Sequence, residues 1–232
     1  MIETALYLIP VQLSDGELNC VLPQANIALV SHIKHFIVEN VRSARRFLKK
    51  CDREIDIDSL TFYELNRHTD PRQVSTYLDA LEKGEPMGVI SEAGCPAIAD
   101  PGADVVAIAQ RKGLKVHPLV GPSSILMGLM GSGFNGQSFA FIGYLPIEAG
   151  ARARKLKEME QRIVKENQTQ IFIETPYRNN SLLAEMVKSL PANLKLCIAT
   201  NITGEREQII TRGVKEWGKH PIDLNKVPTI FL

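Results

Sequence analysis

Two groups of residues in this chain have types and spacings suited to chemistry. The first is the run Ser91-Glu92-Ala93-Gly94-Cys95-Pro96-Ala97-Ile98-Ala99-Asp100-Pro101-Gly102, which directly follows the apolar stretch Met87-Gly88-Val89-Ile90. Glycine removes the Cβ and admits positive φ, while proline fixes a turn and removes a competing donor. Such a run lets a ligand lie against main chain, and in an open α/β sheet ligands bind just beyond the carboxyl ends of strands. The second group is Arg42, Arg45, Arg46, Lys49, Lys50 and Arg53, spaced i, i+3, i+4, i+7, i+8 and i+11, with only Asp52 interrupting. On a helix these share one face, which can neutralise RNA phosphates or stand as a solvated surface. A weaker basic run, Arg152, Arg154, Lys155 and Lys157, is diluted by Glu158 and Glu160. Ser123 and Ser124 precede a helix, where hydroxyls and free N–H groups can hold a carboxylate or serve as caps. Glu174 ends an apolar run and faces either a cleft or Arg178, and Asp100 reads as the cap of the helix that follows it.

The elements that must position these residues follow from hydrophobic period and punctuation. Strands are expected at Thr4–Ile9, His35–Val38, Met87–Ile90 and Leu114–Leu119, and helices at Leu22–Ile33, Val41–Asp52, from Asp70-Pro71 to Gly84, and at Asp104–Lys112. In the helix over Val41–Asp52, Val41, Ala44, Leu48 and Cys51 form the inward stripe. The segment Val120-Gly121-Pro122-Ser123-Ser124 reads as a hinge. Beyond it helices are expected at Ile125–Gly131, Ala151–Lys165 and Asn180–Leu190. Strands are expected at Phe139–Ile142, Thr169–Glu174, Lys195–Thr200, Gln208–Thr211 and Val227–Leu232. The alternation predicts an α/β protein of two domains, 1–119 with a mostly parallel sheet and 120–232 with antiparallel edges.

Composition bounds the class. The 232 residues are 44% hydrophobic and 23% charged with a net charge of +1, enough for real cores and without the bias of a disordered or fibrous chain. No run of about 18 apolar residues is present to suggest a membrane span, and Met1-Ile2-Glu3-Thr4 has no basic segment of a signal peptide. Cys20, Cys51, Cys95 and Cys197 are scattered without ligand spacing, so no metal is expected and reduced thiols in the cytoplasm fit. The near-neutral charge leaves only a local patch available for nucleic acid.

Three satellites follow the run at 91–102 in order: Pro118-Leu119-Val120-Gly121-Pro122-Ser123-Ser124, Gly143-Tyr144-Leu145-Pro146, and Ile171-Phe172-Ile173-Glu174-Thr175-Pro176-Tyr177-Arg178. With Leu6-Tyr7-Leu8-Ile9-Pro10 at the start, these motifs cover nearly the whole chain. They resemble the tetrapyrrole methylase superfamily of S-adenosylmethionine-dependent methyltransferases, most closely its branch acting on the ribose 2′-hydroxyl of small-subunit ribosomal RNA. The resemblance implies two α/β domains with the cofactor in the interdomain cleft and commonly a homodimer. It is not a Rossmann fold, and no G-x-G-x-x-G follows the first strand.

By the same resemblance the cofactor contacts are Pro10, Glu92, Ala93, Gly94, Pro96, Ala97, Ser123, Ser124, Tyr144 and Leu145. The helical spacing of the basic stripe, not the resemblance, offers Arg42, Arg45, Arg46, Lys49 and Lys50 as the RNA contacts. Methyl transfer from a sulfonium needs alignment more than acid–base machinery, but a ribose hydroxyl is a poor nucleophile, and Glu39, Glu92 and Glu174 are the candidate bases. Three segments depart from the branch. Pro10–Leu18 replaces P-T-P-I-G-N-L, Glu39-Asn40-Val41-Arg42 replaces E-D-T-R, and Glu64-Leu65-Asn66-Arg67 replaces D-H-N-E. All three belong to the acceptor side, so two alternatives stay open: methylation of a corrin or porphyrin carbon, and a non-catalytic binding paralogue.

Overall fold

A computed structural model describes residues 2–220 and 222–232, and the chain divides into two compact units, Met1–Ser123 and Ser124–Leu232. The division falls past Pro122 rather than at residue 119 because the intervening segment is tied to the first unit. The Val120 carbonyl accepts from Asn26 Nδ2 at 2.7 Å, and a Cβ on Gly121 would lie 2.2 Å from the Cβ of Pro10.

The first unit carries β1 (Leu6–Ile9), α1 (Gln24–Leu29), β2 (His35–Val38), α2 (Val41–Cys51), β3 (Thr61–Glu64), α3 (Pro71–Val74), α4 (Asp79–Glu82), β4 (Met87–Ile90), α5 (Gly102–Arg111) and β5 (Val116–Pro118). Its strands form one sheet in the order β3-β2-β4-β1-β5, parallel throughout. β1 and β4 are apolar along their whole length and buried on both faces, as interior parallel strands must be. Tyr7 and Ile9 point into one core with Phe36 and Leu48, and Leu6 and Leu8 into the other with Ile37, Leu78 and Val105.

Three local differences from the sequence reading have physical causes. The expected helix over 22–33 is α1 followed by a single 3-10 turn, Val30–His32. The expected helix from 70 to 84 is two short ones. Asp70 caps α3 through Arg72 N–H, and then Ser75 and Thr76 hydroxyls bond the carbonyls of Arg72 and Gln73, competing with the helical ladder. β3 was not expected, because an edge strand reading Thr-Phe-Tyr-Glu with an exposed residue at each end has little apolar signal. In α2 the inward stripe is Ala44, Phe47 and Leu48, while Val41 and Cys51 are only half-buried.

The second unit carries α6 (Ser124–Ser132), β6 (Phe139–Tyr144), α7 (Ala149–Glu166), β7 (Thr169–Ile173), α8 (Asn179–Ser189), β8 (Lys195–Thr200), β9 (Gln208–Gly213), α9 (Val214–Lys219) and β10 (Thr229–Phe231). The sheet order is β6-β7-β10-β8-β9, and only β6 and β7 are parallel. Antiparallel pairing therefore runs through the centre of this sheet rather than only at its edges, since β10 is antiparallel to both neighbours. α9, also unexpected, seats Trp217 in the core with its Nε1–H on the Leu196 carbonyl at 2.9 Å.

Candidate functional site

The loop leaving β4 is stitched to the loop leaving β1. Val11 and Gly94 exchange main-chain hydrogen bonds of 3.0 and 3.1 Å, an isolated antiparallel bridge between the carboxyl ends of neighbouring strands. Gly94 has φ +70°, and a Cβ there would meet Leu13 Cδ2 at 3.1 Å and the Pro122 carbonyl at 3.4 Å. Pro10–Leu13, Gly94-Cys95 and Gly121-Pro122 thus converge on one edge of the sheet. Pro10, Gly94 and Pro96 are buried, and Glu92, Ala93 and Ala99 are exposed. Ala97 and Ala99 hold φ of +66° and +61°, a conformation costing an L-residue about 1–2 kcal/mol. Asp100 stabilises it: both carboxylate oxygens accept Ala97 N–H at 3.0 Å, and Oδ1 accepts Gly102 N–H at 2.7 Å. Asp100 was expected to cap α5, but the N-cap position falls on Pro101, and the Asp100 carboxylate instead braces the loop just before the helix. Burial raises its carboxyl above the ordinary value, against those two hydrogen bonds.

Glu39 directly follows β2, beside this loop. Burial raises its carboxyl, the charges of Glu92 and Asp100 raise it further, and Glu92 N–H opposes them by donating to it. Glu39, Ser91 and Asp100 line a gap of about 10 Å³, room for one water. Glu92 Oε1 accepts from Ser43 Oγ in α2 at 2.5 Å. Two of the three candidate bases are thus brought together. Glu174 belongs to the second unit, where its side chain is only 2% exposed. Its Oε1 accepts Thr175 N–H at 2.7 Å, and its Oε2 pairs at 2.9 Å with Arg178 Nη2, out of line for a hydrogen bond.

α2 starts from Asn40, whose Oδ1 accepts Arg42 and Ser43 N–H at 2.9 and 3.2 Å. An aspartate would cap identically, so the exchange in the E-D-T-R segment costs the helix nothing. Arg42, Arg45, Arg46, Lys49 and Lys50 are exposed on α2 opposite the buried stripe, and Arg53, expected on the same face, is exposed beyond the helix because the chain turns extended at Asp52. Among the described residues none of the six joins an ion pair. Arg45 lies over the Phe62 ring at 5.4 Å, Lys49 Nζ donates to the Arg53 carbonyl, and Lys50 Nζ donates to Gln12 Oε1 at 2.8 Å and the Gly16 carbonyl at 2.6 Å.

The weaker basic run is largely spent. Lys155 and Lys157 pair with Glu158 and Glu160. Arg152 pairs with Glu185 at 2.6 Å and donates to the Pro146 and Ile147 carbonyls, clamping the turn after β6. In that turn Tyr144 is 58% exposed, whereas Leu145 is in the core, where it presents only main chain. Ser123 ends the first unit and Ser124 opens α6. A cavity of about 460 Å³ lies elsewhere in the second unit among residues such as Phe134, Ile163 and Leu194, and holds none of the expected site residues. Among the described residues no group of His, Cys, Asp or Glu is arranged to hold a metal, and no helix is long and apolar enough to cross a membrane. Sequence reasoning missed Ser43, Val11 and Leu13. Ser43 sits one turn beyond Glu39, which is the only signal it offered.

No family model matches the chain. It is 32% identical over 204 residues to ribosomal RNA small subunit methyltransferase I of Vibrio cholerae, covering 88% of this chain and 67% of that protein. It is 32% identical over 164 residues to the protein of that name from Pasteurella multocida, and 31% over 182 residues to that from Halalkalibacterium halodurans. These alignments cover 69% and 78% of this chain and 57% and 59% of those proteins. The chain thus spans between 57% and 67% of these relatives' length. In fold it is similar to the methyltransferase CobJ, with TM-score 0.64, 12% identity, and coverage of 98% of this chain and 92% of that one. It is also similar to the uroporphyrin-III C-methyl transferase of Thermus thermophilus complexed with S-adenyl homocysteine, with TM-score 0.56, 14% identity, and coverage of 98% and 95%. The structural likenesses establish a two-sheet α/β fold of the tetrapyrrole methylase type, and on sequence the chain belongs to the ribosomal RNA small subunit methyltransferase I family.

Proposed function

We propose that the protein is an S-adenosylmethionine-dependent methyltransferase acting on a ribose 2′-hydroxyl of small-subunit ribosomal RNA. Its family membership supports the activity, and the exposed face of five cations on α2 carries the choice of RNA as acceptor, since a tetrapyrrole has no use for it. The residues of the sheet edge fit the cofactor. Three carboxylates, Glu39, Glu92 and Asp100, lie close enough to raise Glu39, and a molecule with two positive centres, a sulfonium and an ammonium, relieves that repulsion. When bound, S-adenosylmethionine supplies a methyl group already activated for transfer. The chain's part is alignment. Main chain from Glu92 to Ala97, with Pro10 and Ser123, holds the donor; α2 holds the phosphates; Glu39 takes the proton of the 2′-hydroxyl. The protein acts in the cytoplasm, where ribosomes are assembled, and as a homodimer. The apolar Leu126 and Met130 on α6, 51% and 83% exposed, support the dimer.

The test is incubation with methyl-labelled cofactor and small ribosomal subunits from cells lacking their own ribose methylases, with a porphyrin acceptor in parallel. Label in the RNA ribose is expected, and label in the porphyrin alone would reverse the acceptor. Calorimetric titration showing no cofactor binding would sink both readings and leave a binding paralogue.

A further inference from the structure

We propose that Lys50 is a positioning residue for the cofactor loops, rather than one more phosphate contact on α2. The proposal rests on the functional reading above. Lys50 stands in the last turn of α2 and reaches down to the segment after β1, where its Nζ donates to Gln12 Oε1 at 2.8 Å and to the Gly16 carbonyl at 2.6 Å. Gln12 follows Val11, which makes both hydrogen bonds of the bridge to Gly94, and Leu13 Cδ2 lies 3.1 Å from where a Cβ on Gly94 would sit. At its other end α2 holds the second loop directly, through Ser43 Oγ on Glu92. Ala44, Phe47 and Leu48 share a core with Val11 and Leu18, so the helix and the loop pack as one body. α2 thus grips both strand-end loops, one at each end, and Lys50 is its only cation bonded to either of them among the described residues.

Lys49 supplies the control. It is a neighbouring cation on the same face, and its Nζ bonds the Arg53 carbonyl instead of a strand-end loop. Lys49→Met removes a phosphate contact and lowers the salt slope of RNA binding by about one, whereas Lys50→Met leaves that slope nearly unchanged. Only Lys50→Met is expected to weaken S-adenosylhomocysteine, by roughly three- to tenfold in calorimetry, the range for an exposed charge-assisted bond. Equal affinities in the two variants would overturn the proposal. Amide hydrogen exchange at Val11 and Gly94 reads the same strut without ligand. Exchange should quicken in Lys50→Met and not in Lys49→Met, and unchanged exchange in both refutes the strut. A wild-type protein that binds no S-adenosylhomocysteine but shows that exchange pattern keeps the strut and sinks the functional reading.

Discussion

Glu39 is half-buried beside two other carboxylates, and its raised carboxyl has consequences of known sign. The folded state binds this proton more tightly than the unfolded chain does. Between the ordinary value of 4.5 and the raised one, its contribution to stability falls as pH rises. Glu39→Gln removes that cost, so the variant should unfold at higher urea than the parent at pH 7 and lose this part of the pH dependence. As the proposed base, Glu39 must be ionised, so wild-type methyl transfer should decline as pH falls through the raised value. The Gln variant should lose about 10²-fold or more in rate at any pH. Gly121 offers a purely steric counterpart. A Cβ 2.2 Å from the Pro10 Cβ cannot be accommodated without moving main chain, and Gly121→Ala should cost about 1–3 kcal/mol. Gly136→Ala, where nothing lies within 4 Å, should leave the melting temperature nearly unchanged. Gly94 and Gly121 were legible as turn formers from their neighbours in sequence. Their contacts with Leu13 and Pro10 were not, because those join segments about a hundred residues apart or bridge two different strand ends.

At the scale of elements, the proposed choice of RNA as acceptor rests on α2. Replacing Arg42, Arg45 and Arg46 together by Gln removes three exposed cations that have no ion pair among the described residues. The slope of log affinity for RNA against log salt should fall in magnitude by about three, read by filter binding. Cofactor affinity should stay where it was, and an unchanged slope would place RNA elsewhere. α2 was readable because its apolar positions recur at helical spacing and Asn40 stands where a cap belongs. The interval 70–84 was misread as one helix for the opposite reason. Its apolar pattern is helical, but Ser75 and Thr76 spend their hydroxyls on carbonyls that the next turn needed. β3 escaped because periodicity registers burial, and an edge strand with polar ends has little.

For the whole molecule, the exposed apolar residues of α6 give the proposed dimer its test. Met130→Glu should sediment as a monomer where the parent sediments as a dimer, and a parent that is monomeric at micromolar concentration removes the proposal. The order of strands and helices was legible nearly throughout, because buried parallel strands are continuous apolar runs set off by glycine and proline. The pairing within the second sheet was not, since no local pattern distinguishes a strand that joins its neighbours from one inserted between them. That insertion bears on biosynthesis. Every strand of the first sheet has been made by residue 118, so this unit can fold while the ribosome is still at work. The second sheet has β10, made after β7, β8 and β9, between β7 and β8. Until Phe231 has cleared the exit tunnel, both of those neighbours present an open edge to chaperones and to other nascent chains.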